Sequence, residues 1–139
     1  MTGSTPNSWT LPRIPGRWCA SRSPPGQLAG ALTVIRAAAA GNAVAAGIEG
    51  SAGAGVLDVK VPAESPAAAV ARFVAALRAE LARLSALGVP RAVVVYAPEE
   101  VRNLTDTHGP MPSLALMRAV KDEFDPEHRM APGRLADAV

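Results

Sequence analysis

The sequence predicts an α+β domain in the order strand, helix, strand, strand, helix, strand, with a further helix behind it. Three observations carry this reading. Val70, Phe73, Val74, Leu77, Leu81 and Leu84 recur at three- and four-residue steps, the stripe of a long amphipathic helix. Two runs rich in β-branched residues, 56–61 and 91–96, lie on either side of that helix. Gly50-Ser51-Ala52-Gly53-Ala54-Gly55 leads into the first run and reads as the tight turn of a hairpin.

The 139 residues suffice for one domain with its own core. Hydrophobic residues make up 49% of the chain and aromatics only 4%, so the core has to be built from Val, Leu, Ile and Ala. Small side chains bury less area each, and the expected stability is modest.

In chain order, residues 1–17 are rich in Pro, Ser, Thr, Gly and Arg and read as a loose leader. Trp18 to Ser23 reads as a short strand. Ser23 is placed to cap a helix whose first turn takes Pro24 and Pro25. Leu28, Leu32, Ile35 and Ala39 form its apolar face, and Gly30 costs it about 1 kcal/mol relative to Ala. Gly41-Asn42 ends it. Ala43 to Glu49 reads as the second strand and Val56 to Val61 as the third, closed by Pro62. Ser65-Pro66 then opens the long helix as N-cap and first helical residue, and Gly88 closes it. Arg91 to Tyr96, with Val93-Val94-Val95 at its centre, reads as a buried strand. The result is the split βαβ, or ferredoxin-like, βαββαβ antiparallel sheet, over residues 18–97. Residues 98–139 add a loop, a third helix from about Ser113 to Phe124, a stop at Asp125-Pro126 and an irregular tail.

Composition narrows the function classes. The net charge of +2 does not imply nucleic acid. Arg13, Arg17, Arg22 and Arg36 stand in an N-terminal stretch without acidic residues, and the plain reading is a solvated leader. Sheet-based RNA binding needs exposed aromatics on the central strands, and the predicted hairpin carries none. One cysteine, Cys19, rules out an intramolecular disulfide and a Cys-rich metal site. No apolar stretch approaches the roughly 20 residues of a membrane span, and the N-terminus has no secretory apolar core, so a cytoplasmic protein is expected. His108 and His128 stand in no metal-binding spacing, and each reads as a surface-loop residue. The Gly-rich turn belongs to a hairpin and not to the strand-to-helix entry of a dinucleotide site.

The informative segment is Leu114-Ala115-Leu116-Met117-Arg118-Ala119-Val120-Lys121-Asp122-Glu123-Phe124-Asp125-Pro126, a four-residue spacer, and Ala131-Pro132-Gly133-Arg134-Leu135. It resembles the C-terminal end of FAD-linked oxidases of the vanillyl-alcohol-oxidase class, glycolate oxidase subunits above all. The loop running from Pro98 through Asp106-Thr107-His108-Gly109-Pro110 is similar to that family's pre-helix loop, with His108 where Trp is frequent. Ser23 to Leu28 and Gly50 to Leu57 are similar to the start of the first helix and the hairpin of its cap domain.

The resemblance implies a cap domain followed by a tail that returns to the flavin. It makes Pro132, Gly133 and Arg134 the cofactor-contacting residues, and names no catalytic residue and no metal. The family pattern has Asn before Pro-Gly, where this chain has Ala131. Leu116, Met117, Val120 and Phe124 form an apolar face suited to docking on a larger body. In the family the FAD sits mostly in an N-terminal domain, and only the short leader stands there in this sequence. The expectation is therefore FAD held only with a partner domain or subunit, a 2-hydroxy acid as substrate, and no turnover by this chain alone. The alternatives are a stand-alone ferredoxin-like module for ligand or subunit binding, and a non-functional remnant.

Overall fold

In the computed structural model the described residues are 16–22, 25–84 and 91–132. The element order is β1 (Gly16–Arg22), α1 (Leu28–Gly41), β2 (Gly47–Ser51), β3 (Val56–Pro62), α2 (Ala67–Leu84), β4 (Arg91–Tyr96), α3 (Glu99–Arg102) and α4 (Leu114–Phe124). The strands form one four-stranded sheet in the order β2-β3-β1-β4, antiparallel at each pairing. The fold is thus α+β, and this strand order is that of the split βαβ arrangement.

Strand β3 shows why the sheet has one covered face. Leu57, Val59 and Val61 are buried, while Val56, Asp58, Lys60 and Pro62 are half-buried, the period-two alternation of a sheet packed on one side. Helices α1 and α2 pack against each other and supply the other layer. Ala31, Ile35, Ala38 and Ala39 come from α1; Val70, Phe73, Val74, Leu77 and Leu81 come from α2. Phe73, Ile35, Leu77, Leu81 and Val59 have no exposed surface, and each such side chain contributes about 1.5–3 kcal/mol of burial. The stripe read from the sequence is the buried face, with Leu84 half-buried at its end.

Four readings need correction. The first helix opens with a 3₁₀ turn, Pro25–Gln27, and becomes α-helical only at Leu28. The second strand begins at Gly47 and not Ala43, because Ala43 sits in the left-handed region (φ 53). Asn42 closes α1 there, its side-chain amide donating to the Ala38 carbonyl at 2.9 Å. Strand β4 is an edge strand and only partly buried. Its pairing shifts between Trp18↔Tyr96 and Cys19↔Val94, which leaves Val95 between the two register positions, and Val95 and Tyr96 are exposed. Finally, the loop after β4 contains a short helix, Glu99–Arg102, that pins Val101 into the core.

Other boundaries fall close to expectation. β1 begins at Gly16, two residues early; α2 begins one residue after Pro66; α4 begins at Leu114, beside Ser113. The leader up to residue 15, the Ser23 cap, Gly88, Pro90, Gly133 and Arg134 lie outside the described residues.

Candidate functional site

The C-terminal segment from Val101 onward is built differently from the rest. Val101 is buried, but α4 buries no residue at all. Its sequence places Leu116, Val120 and Phe124 four residues apart, hence on one side of the helix. Leu116 is 67% exposed, Val120 50% and Phe124 82%, so that apolar side faces solvent. Met117 is half-buried, its sulfur 3.8 Å from the Ser113 hydroxyl. Met130 beyond the helix is exposed as well.

Past α4 the described residues 125–132 form no regular element, as expected, but hydrogen bonds gather them into a hook. Asp125 ends the helix and is 8% exposed, the only buried polar residue among those described. One carboxylate oxygen accepts from the Arg129 amide at 2.9 Å. The other accepts from the Met130 amide at 2.9 Å and from Lys121 Nζ at 2.8 Å. Lys121 Nζ also donates to the Met130 carbonyl at 2.8 Å. These bonds favour the charged carboxylate: the Lys121 ammonium foremost, then the Met130 amide, lower the Asp125 pKa from 3.8 to about 2. The chain can turn this sharply because His128 (φ 49) and Ala131 (φ 47) are both left-handed. The hook ends at Pro132, which is exposed.

Upstream of α4 a second set of bonds holds the loop at Asp106 to Gly109. Arg78 of α2 donates from Nε to the Ala92 carbonyl at 3.0 Å, and from its two terminal nitrogens to the Asp106 carbonyl at 2.7 Å and the Thr107 carbonyl at 3.2 Å. The Thr107 carbonyl also accepts from the Val94 amide of β4 at 2.8 Å. Gly109 is buried against the guanidinium with φ 70, and a Cβ there would lie 2.9 Å from Arg78 Nε.

The two histidines behave as loop residues. The His108 ring lies 3.0 Å from the Thr107 hydroxyl through Nδ1, and its amide donates to Asp106. His128 Nε2 is 3.4 Å from Asp122, both groups well exposed. Among the described residues no group of His, Cys, Asp and Glu is arranged to hold a metal ion. Among them, too, no helix is long and apolar enough to cross a membrane.

Of the residues expected to contact a cofactor, Pro132 alone is described, and it stands at the surface at the end of the hook. Between sheet and helices the space is filled by Phe73, Ile35, Leu77 and Leu81, which leaves no room there for a flavin ring. A flavin ring is therefore not accommodated between these layers. Sequence reasoning missed Arg78 and the role of Asp125. Asp125 had a readable signal, a lysine four residues earlier at the helix end. Arg78 had none, since its three acceptors are backbone carbonyls.

Taken together, the described residues make an α+β domain that presents an amphipathic helix and a hydrogen-bonded hook at its surface. Residues 100–135, which span that helix and hook, match the family model of FAD linked oxidases, C-terminal domain. The match begins within α3 and leaves the βαββαβ body outside it. No curated protein and no solved structure matches the chain.

Proposed function

We propose that this chain is the cap-and-tail portion of an FAD-linked oxidase of the vanillyl-alcohol-oxidase class, similar to glycolate oxidase, that works with a partner bearing the FAD domain. The observation that carries the reading is the coincidence of the family match with the exposed apolar side of α4. An amphipathic helix with no fully buried residue, whose Leu116, Val120 and Phe124 face solvent, is suited to a groove on another body. In this reading Leu116, Val120 and Phe124 enter the partner. The hook held by Asp125 precedes Pro132, Gly133 and Arg134 in the chain, the residues this reading assigns to the flavin. Arg134 offers a forked cation to an anionic group or a carbonyl there. Bound FAD would supply the hydride acceptor, and this domain would close the substrate side over a 2-hydroxy acid.

The test is co-expression with an FAD-bearing subunit of the family, followed by co-purification and an absorbance scan. A stable complex with a flavin spectrum, reduced on addition of a 2-hydroxy acid, is expected. A chain that purifies as a self-associating protein, captures no FAD subunit and carries no flavin would sink the oxidase reading in favour of a stand-alone binding module.

A further inference from the structure

We propose that Arg78 is the positioning residue of the C-terminal arm: it clasps the loop before α4 to the body of the domain and so sets the pose in which the apolar helix is offered. The partner part of this inference rests on the proposed function above; the clasp itself does not.

Helix α4 has no fully buried side chain, and only Leu114 and Met117 of its apolar residues are half-buried, so hydrophobic burial holds it weakly. The body ends at the edge strand β4, and the loop from Asp106 to Gly109 runs against it. Arg78 stands on α2, beside the buried Leu77, and is itself half-buried. Its guanidinium reaches one carbonyl of β4 and two of the loop. These bonds therefore bridge three parts of the chain. Among the described residues the partners of the Arg78 guanidinium are backbone carbonyls, and no carboxylate pairs with it there. Such charge-assisted bonds are stronger than neutral ones, roughly twofold.

Arginine is the residue this geometry requires. Its rigid planar fork meets three acceptors in separate directions at once, whereas a lysine ammonium is a single point on a flexible stem. Gly109 completes the fit from the other side, since any side chain there would run into the guanidinium. The two halves of the clasp lie on opposite sides of the family boundary. Gly109 is within the matched segment and Arg78 is outside it. The clasp is thus how the body, which the family model does not cover, controls the segment that it does.

Hydrogen exchange on the full chain tests the clasp directly, using Arg78→Met and Arg78→Lys. Arg78→Met should speed exchange of the Val94 amide and of residues 105–124, by about tenfold or more. Amides of α1 and β3 should keep their protection, which separates loss of the clasp from loss of the fold. Arg78→Lys should restore little of it. Gly109→Ala should reproduce the Arg78→Met pattern from the opposite side. Unchanged exchange at Val94 and residues 105–124 in Arg78→Met would overturn the clasp. If Arg78→Met unfolds the body, Arg78→Lys, which keeps the apolar stem and the charge, decides the matter by the same readout.

Affinity for an FAD-bearing subunit tests the consequence. If the arm spends only a tenth of its time in the offered pose, apparent affinity falls about tenfold. Faster exchange with undiminished affinity would overturn the positioning role while leaving the clasp in place. A parent chain that captures no FAD subunit would instead refute the functional reading, and the exchange result would stand apart from it.

Discussion

Asp125 takes three donors into one carboxylate, and its charge holds the chain in a turn that two left-handed residues make possible. Because its pKa falls from 3.8 to about 2 in the folded chain, the native hook binds fewer protons than the unfolded one in that range. Its contribution is fully present above pH 3.8 and is lost as pH falls through about 2. A carboxyl-carbon NMR titration of Asp125 should show its midpoint near 2; a midpoint at the ordinary 3.8 would mean that the hook does not form. Asp125→Asn should open the hook at neutral pH, since one of its two oxygens becomes an NH₂ facing Lys121 or an amide, donor against donor. The same turn makes Ala131 a strained position. Its φ of 47 costs an L-residue about 1–2 kcal/mol. Ala131→Gly should relieve about 1 kcal/mol of this, and Asn, which tolerates the left-handed region, a part. Slower exchange of the Met130 amide in both variants is the expected readout, and no change would argue against strain there. The turn here asks for a residue that accepts positive φ.

At the scale of elements, legibility depends on how each one is stabilised. The start of helix α2 is readable to within a residue, its predicted end at Gly88 lying outside the described residues, because its burial is periodic and a six-residue apolar stripe has one helical solution. Strand β3 was readable because β-branched residues alternate with polar ones. Strand β2 was misplaced because Gly47-Ile48-Glu49-Gly50-Ser51 has neither signal. Its position is set by pairing with β3, a tertiary effect. Gly50 there is close-fitted, since a Cβ would fall 2.1 Å from the Val56 carbonyl oxygen, so the Gly-rich run is part strand and part turn. Strand β4 was read as buried from Val93-Val94-Val95, yet composition cannot tell an edge strand with a bulge from a central one. Helix α3 escaped notice because one turn anchored by Val101 is too short for periodicity. Of the candidate site, the helix was legible from its Leu116, Val120 and Phe124 spacing, while the clasp and the hook depend on backbone acceptors and donors that a sequence does not display.

For the whole molecule these scales combine into a division of labour between body and arm. The body holds the core: Phe73, Ile35, Leu77 and Leu81 have no exposed surface, and both helices and the sheet meet on them. The arm contributes Val101 to that core and nothing from α4. The two phenylalanines of the chain therefore stand at opposite ends of this division. Phe73→Ala removes a fully buried ring and should cost about 3–5 kcal/mol in denaturant unfolding, a large part of a small domain's stability. Phe124→Ser changes a side chain that is 82% exposed and should stay within about 0.5 kcal/mol of the parent. The same Phe124→Ser should weaken capture of an FAD-bearing subunit, because an apolar anchor on a docking helix acts only in the complex. Arg78→Met would weaken capture by a different route, with faster exchange in the arm, whereas Phe124→Ser should leave arm exchange as in the parent. Unfolding and capture measured on both phenylalanine variants check the division. A Phe124→Ser chain that loses as much stability as Phe73→Ala would place the arm inside the cooperative core. One that keeps both stability and capture would remove the apolar side of α4 from the interface.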